Sequence, residues 1–509
     1  MRTPPRRPIY RADVHDDGGP PVPLPFRVRI GATLLAALTG AGLLAVPAGA
    51  NPEAPERTGE SVAPCRTGLT LRYLVLFPAG TTAATAEAQV KANCGTTTAY
   101  YPEIGVAVAG AADPDFVSRL GADRVVSAEA QIRAARKKSA SRGPAGPRLA
   151  PDRRPAGVDR SDEQWDMAAI RADQANQITV GSRDVLVGVL DSGVDAEHPD
   201  LAAAVDPAAS AGCVTGRADQ RRSAWLPTES PHGTHVAGTI AAAKDGRGIT
   251  GVAPGVRLAS VKVVDDDGYV YPESVVCGFM WAAAKGMRVV NNSFLVDPWV
   301  LTCRDRAGQR VVHEAVSRAV RYAVGRGVLA VAAVGNDAVD LANPGATAAK
   351  LGLPGGRVDN RCEALPAELR GVVAVSSVGA EGVKASYSSY GLGVAQLTAP
   401  GGDHRQTPPG VDNGCVLSTV PHGGYGYLCG TSMATPHVTG VAALLASRYR
   451  SASPAQLTRL LGQQAVSLDC PADYDLNSDG AQDATCNGYA GYNGFYGHGM
   501  VDALAAVRD

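Results

Sequence analysis

Three short blocks, far apart in the chain and met in the order Asp, His, Ser, carry the residue types that together make a hydroxyl reactive: Asp191-Ser192-Gly193, His232-Gly233-Thr234-His235 and Gly430-Thr431-Ser432-Met433-Ala434. A serine hydroxyl is a weak nucleophile at its free pKa and needs a base within hydrogen-bond reach. An imidazole titrates near neutrality and suits that task, and a buried carboxylate holds the ring in one tautomer and stabilises its protonated form. Ser432, His232 and Asp191 are the candidates for the three roles. Singly each means little, because an Asp after a strand or a Ser in a Gly-Thr-Ser turn is usually a cap. Together, and in this order, they point to nucleophilic catalysis, since the same triad recurs on unrelated folds in other chain orders.

The elements that must position these residues are legible as short β-branched runs alternating with helical stretches. Residues 185–190, 257–264, 288–291, 328–333 and 372–378 read as strands, and 232–243, 272–285, 311–324 and 432–448 as helices. Apolar strands separated by helices predict an α/β fold, a parallel sheet covered by helices on both faces. Such sheets bind ligands beyond the carboxyl ends of their strands, and Asp191 ends the first of these runs. Ahead of this unit, a strand at 71–76, a helix at 83–92, a strand at 104–109, a helix at 113–120 and a closing strand near Val125 predict a small αβ domain over 65–130. Residues 136–160 are rich in Lys, Arg, Pro, Gly and Ser and read as a basic, exposed linker, with the catalytic unit over 161–509.

Targeting and composition narrow the class. Within residues 1–50, Arg27 and Arg29 precede an apolar run over 30–46, and Ala48-Gly49-Ala50 offers a small-residue cleavage site, the pattern of a secretory signal peptide behind an N-terminal extension. The run is shorter than the roughly 20 apolar residues that span a bilayer, so no stable membrane anchor is expected. A net charge of -1 leaves no broad footprint for nucleic acid. Ten cysteines, none in a C-x-x-C pair, predict an oxidising, extracellular setting. Cys65 with Cys94, Cys415 with Cys429 and Cys470 with Cys486 are possible local bridges, while Cys213, Cys277, Cys303 and Cys362 have no pairing that the sequence decides. Between Cys470 and Cys486, Asp475, Asn477, Asp479 and Asp483 with Gly480 place side-chain oxygens as in the start of a calcium loop; Cys486 stands where a full EF-hand has its bidentate Glu.

On its three motifs the chain resembles the subtilisin family of serine peptidases, from about Gln164 to the C-terminus. The resemblance implies that Val334-Gly335-Asn336-Asp337 is the family's Gly-Asn block, so that the Asn336 amide and the Ser432 backbone N–H receive the oxyanion. It also implies that the substrate backbone adds as an extra strand between Gly268-Tyr269-Val270 and Ser293-Phe294-Leu295, with Gly335 nearby. The run Phe294-Leu295-Val296-Asp297-Pro298-Trp299 departs from the small residues that line the family's main specificity pocket, and would narrow it; Asp337 near the floor would favour a basic side chain. His235 and His437 are packing residues in this family, and the 65–130 unit resembles its inhibitory propeptide. The function implied is a secreted, self-processing serine endopeptidase whose partners are protein or peptide substrates and its own propeptide. A peptidase dedicated to one partner protein is the alternative enzyme, and a silent scaffold on the same fold the alternative from another class.

Overall fold

The computed structural model describes residues 64–138, 157–353, 358–408 and 413–508. The signal-peptide segment within 1–50 and linker residues 139–156 lie outside the described residues.

Alternating apolar residues along the strand Leu186–Asp191 are what bind the catalytic unit into layers. Leu186 and Leu190 face one buried cluster with Val275, Phe279 and Val312; Val187 and Val189 face the other with Val236, Val438 and Leu445. A strand buried on both faces must have helices on both, and it does: Pro272–Ala284 and Ala307–Gly325 on the first, His232–Ala241 and Thr431–Arg448 on the second. The sheet has seven strands in the order Leu397–Pro400, Val372–Val378, Leu329–Ala333, Val289–Asn292, Leu186–Asp191, Arg257–Lys262, Ala211–Gly212, with every neighbouring pair parallel. The expected strands and helices are all present, with ends moved by a few residues. Strand Leu397–Pro400 and the hairpin Val416–Val420 with Gly424–Leu428 were not anticipated.

The N-terminal unit is a four-stranded antiparallel sheet in the order Gly95–Tyr101, Val106–Ala111, Leu71–Leu76, Val125–Val126, with helices Ala83–Ala92 and Phe116–Leu120. Gly95–Tyr101 pairs as a full strand although its threonines give no apolar run, because its neighbour supplies the buried face. The helix Ala128–Lys138, capped by the Ser127 hydroxyl accepting the Ala130 amide at 3.0 Å, takes in residues 136–138 that composition assigned to the linker.

This unit packs on the catalytic one. Leu74, Leu76, Val106 and Val108 belong to the same buried cluster as Val275 and Val312, and Arg318 donates to the carbonyls of Phe77 and Ile104 at 3.0 and 3.1 Å. Arg72 lies 3.3 Å from the buried Glu273 carboxylate, donates to the Val214 carbonyl, and covers the Tyr271 ring at 4.4 Å. Five disulfides form: Cys65–Cys94, Cys415–Cys429 and Cys470–Cys486 as the sequence allows, with Cys213–Cys277 and Cys303–Cys362 settling the undecided four.

Candidate active site

The carboxyl edge of the sheet gathers the chemistry. Asp191 is the last residue of its strand, Ser293 follows the adjacent strand Val289–Asn292, and Gly335 and Asn336 follow the next, Leu329–Ala333. His232 opens the helix His232–Ala241 and Ser432 is the second residue of Thr431–Arg448. Asp191 is buried, and its Oδ1 accepts from His232 Nδ1 at 2.7 Å and from the Ser192 amide at 2.7 Å. Burial pulls the His232 imidazole down, but the charge of Asp191 and its hydrogen bond outweigh burial, so the ring titrates above its ordinary value.

The Ser432 hydroxyl donates to the Ser293 carbonyl at 3.1 Å rather than to the imidazole. That differs from the expected base–nucleophile hydrogen bond, and the reason is local: a hydroxyl has one proton, and a carbonyl lies within reach of it. The Ser293 side chain anchors the same turn by donating to the Ser432 carbonyl at 2.8 Å, and itself accepts from Asn291 at 2.8 Å, whose own oxygen accepts from Thr439 at 2.9 Å. This buried polar chain under Ser432 was not anticipated; its sequence signal is the pair Asn291-Asn292 closing an apolar run.

Asn336 is oriented by its oxygen. Its Oδ1 accepts from the Thr431 amide at 2.9 Å and the Thr431 hydroxyl at 2.8 Å, which leaves Nδ2 as the outward donor. A methyl group added at Gly430 would lie 3.5 Å from Asn336 Nδ2 and 3.6 Å from the Ser432 amide nitrogen, so the two donors border one small space. Gly335, at φ +103°, keeps that edge open, with Leu295 Cδ1 and Asp337 Oδ2 at 3.2 and 3.6 Å from where its Cβ would stand. Burial pushes the Asp337 carboxyl up.

A cleft of about 390 Å³ opens beside the ring, lined among others by His232, Asp265, Gly268, Val270, Ser293 and Phe294. The expected pairing edge is less available than the resemblance implies. Gly268 donates its amide to the Asp265 carbonyl at 3.1 Å, Tyr269 to the Asp265 carboxylate at 2.8 Å, and Val270 to the Asp297 carboxylate at 2.8 Å. All three amides are thus engaged within the chain. The Tyr269 ring packs with Tyr271 and Trp299 against Ala128 and Ile132 of the N-terminal unit.

Neither spare histidine is a catalyst in waiting. His235 Nε2 bonds the carbonyls of Val416 and Gly426 at 3.1 Å each, and burial, with His232 adding, pulls it down to about 3. His437 bridges the Met433 carbonyl and the buried Asp166 carboxylate at 2.8 and 2.9 Å. In the loop closed by Cys470–Cys486, Asp475 accepts the amides of Asp479 and Gly480 at 3.1 and 2.7 Å, Asn477 that of Asp479 at 2.9 Å, Asp479 that of Ala481 at 2.8 Å, and Asp483 that of Leu476 at 2.7 Å. These oxygens tie the turn together, and the Gly480 amide chief among them holds the Asp475 carboxyl below its usual range. The donor set is all oxygen, as a hard cation requires, but these oxygens accept the turn's own amides, and the Asp475, Asp479 and Asp483 carboxylates do not converge to within 4.8 Å of one another.

A parallel sheet with helices on both faces and this constellation at its carboxyl edge defines the subtilisin-like architecture. The chain belongs to the subtilase family, a family of serine endopeptidases, whose profile matches residues 182–499. Subtilisin BL of Lederbergia lenta is 32% identical over 344 residues, covering 68% of this chain and 98% of that protein. Fervidolysin of Fervidobacterium pennivorans is 32% identical over 374 residues, 69% of this chain, and the chain spans only 44% of that longer protein. Among solved structures, the epidermin leader peptide processing serine protease of Staphylococcus aureus superposes with a TM-score of 0.64 at 21% identity, over 86% of this chain and 99% of that one. A lanthipeptide protease superposes with a TM-score of 0.51 at 28% identity, over 68% of this chain and 94% of that one.

Proposed function

We propose that this chain hydrolyses peptide bonds through an acyl-enzyme on Ser432. The observation that carries the reading is the 2.7 Å bond from His232 to the buried Asp191, at the sheet edge where Ser432 and Asn336 also stand. A turn of the Ser432 side chain between staggered rotamers transfers its hydrogen bond from the Ser293 carbonyl to the free ring nitrogen of His232. Oγ attacks the scissile carbonyl carbon, its proton passes to His232, and the carbonyl oxygen becomes an oxyanion received by Asn336 Nδ2 and the Ser432 amide. His232 then gives the proton to the leaving amine, and water repeats the sequence on the acyl-enzyme.

In the same reading the N-terminal unit is a propeptide, removed by the enzyme itself after export. The extensive packing of that unit on two helices of the catalytic unit supports this, as do five disulfides for an extracellular setting. The cut falls before Val158. From there the chain is part of the body: the Val158 carbonyl accepts the Gly248 amide at 2.9 Å, Arg160 donates its amide to Gly248 at 2.7 Å, and Arg160 and Glu163 form a buried ion pair at 2.9 Å. In this reading Asp475, Asn477, Asp479 and Asp483 are the residues that would hold a calcium ion, whose charge would stiffen the loop. A second reading, a peptidase dedicated to one leader or partner, is favoured by the 28% identity to a lanthipeptide protease and by the engaged amides of Gly268–Val270, which make the cleft harder for an arbitrary strand to enter.

Expression of wild type and Ser432→Ala tests both levels. Wild type is expected to hydrolyse casein and to yield a mature band whose N-terminus lies within 139–158. Ser432→Ala is expected to stay at precursor length and to hydrolyse nothing; a mature band or retained hydrolysis overturns the reading.

A further inference from the structure

The two oxyanion donors come from different elements, and a single turn bonds the neighbours of one directly and reaches the segment of the other through Gly401. Residues 385–390 run beside the Asn336 segment: Ala338 donates to the Tyr387 carbonyl at 2.8 Å, Ser389 donates to the Gly335 carbonyl at 3.0 Å, and the Ser389 hydroxyl accepts the Asp337 amide at 3.3 Å. On its other side the Tyr387 hydroxyl reaches the carbonyls of Gly401 and Gly402 at 3.0 and 2.6 Å, and the Gly401 carbonyl accepts the amide of Gly430, two residues before Ser432, at 3.0 Å. The turn is therefore a brace between Asn336 and Ser432.

What holds the brace is a buried lysine. Lys384 is 1% exposed, and its Nζ donates to the Ala385 and Ser388 carbonyls at 3.0 and 2.8 Å, closing the turn on itself. Three rings surround Nζ, those of Tyr474, Tyr390 and Phe495, with centroids at 5.0, 5.2 and 5.4 Å. Tyr474 also donates its hydroxyl to the carbonyls of Lys384 and Ala385 at 2.9 and 3.3 Å, and it belongs to the loop closed by Cys470–Cys486. Among the described residues no carboxylate bonds Nζ, and burying a lysine on carbonyls alone is costly; the catalytic steps above make no use of it.

We infer that Lys384, clamped by Tyr474 of the C-terminal disulfide loop, is a positioning residue that sets the spacing between the Asn336 amide and the Ser432 amide, so that turnover depends on the integrity of that loop. The inference rests on the reading of Asn336 as an oxyanion donor. It makes the C-terminal loop, remote in sequence from every catalytic residue, part of the machinery that stabilises the transition state.

A double-mutant cycle separates this from a merely structural role. Lys384→Met, which keeps the side chain out to Cε and removes the amino group, is expected to lower kcat about tenfold with KM unchanged within about twofold, and to add less than about twofold once Asn336 is already Ala. The same fractional loss in both backgrounds, a loss confined to KM, or wild-type kcat in Lys384→Met each overturns the proposal while leaving the oxyanion reading intact. An Asn336→Ala variant with wild-type kcat overturns both. Should Lys384→Met fail to fold, Tyr474→Phe, which removes only the hydroxyl, runs the same cycle: a loss of about threefold that disappears beside Asn336→Ala supports the brace, and an additive loss or none overturns it.

Discussion

At the scale of single residues, the chemistry depends on which way one ring faces. Asp191 Oδ1 faces Nδ1 of His232, which leaves the other nitrogen as the base of the proposed mechanism. Acylation needs that nitrogen unprotonated, and Asp191 raises the ring's pKa, so kcat/KM is expected to rise with pH along a limb whose midpoint lies above the roughly 6.5 of a free imidazole. Asp191→Asn keeps the shape, loses the charge and presents the wrong tautomer; it is expected to lower kcat by about 10⁴, the size of the effect in another serine peptidase. A pH–rate profile of both proteins checks this, and a variant that keeps its turnover argues against the triad. For Asn336→Ala the expected loss is about 10² to 10³ in kcat, a magnitude taken over from subtilisin itself rather than worked out from this structure. These four residues were legible because each sits in a short motif of rare residue types. The Ser293–Asn291–Thr439 chain beneath them was not, since hydroxyls and amides on three separate elements meet only through the fold.

At the scale of elements, the departure lies in the segment after Ser293. The sequence announced bulky residues at 294–299 but not that Asp297 turns back to accept the Val270 amide and so closes part of the substrate edge. Burial, with Asp265 adding to it, pushes the Asp297 carboxyl up to about 6. An acid whose folded pKa is raised binds more protons folded than unfolded, so its contribution to stability falls as pH rises from its ordinary range through about 6. Asp297→Asn can still accept from Val270 and carries no charge. It is expected to raise the melting temperature by about 2 °C at pH 8 and to make no difference at pH 4, which a thermal scan at the two values checks. Strand and helix runs were readable wherever apolar residues set the period, as in Leu186–Asp191. Gly95–Tyr101 and the basic helix Ala128–Lys138 were obscured because composition there follows the exposed face, while a neighbour supplies the buried one.

At the scale of the whole molecule, three attachments hold peripheral pieces to one parallel sheet: Arg72 and Arg318 for the N-terminal unit, Val158–Glu163 for the start of the catalytic body, and Lys384 with Tyr474 for the C-terminal loop. None is visible in the sequence, where buried charges look like any other charged residue until a partner is known. Lys384 offers a global readout. Burial, with Lys350 adding and Asp403 and Asp483 opposing, pulls it down to about 7. The unfolded chain then binds the extra proton, so stability gains from this group as pH rises from about 7 towards the ordinary lysine value near 10.4. Lys384→Met is expected to flatten that rise in a melting series between pH 7 and 10. If the Asp475 loop holds calcium as proposed, a chelator is expected to lower the melting temperature of wild type by several degrees, and an unchanged value overturns that proposal.

The central claim is that one hydroxyl, Ser432, is made reactive by His232 and Asp191. Treating the mature protein with a fluorophosphonate and mapping the adduct by mass spectrometry tests it most directly. One covalent adduct is expected, on Ser432, and none in His232→Ala; no adduct, or one on any other residue, overturns the role given to Ser432.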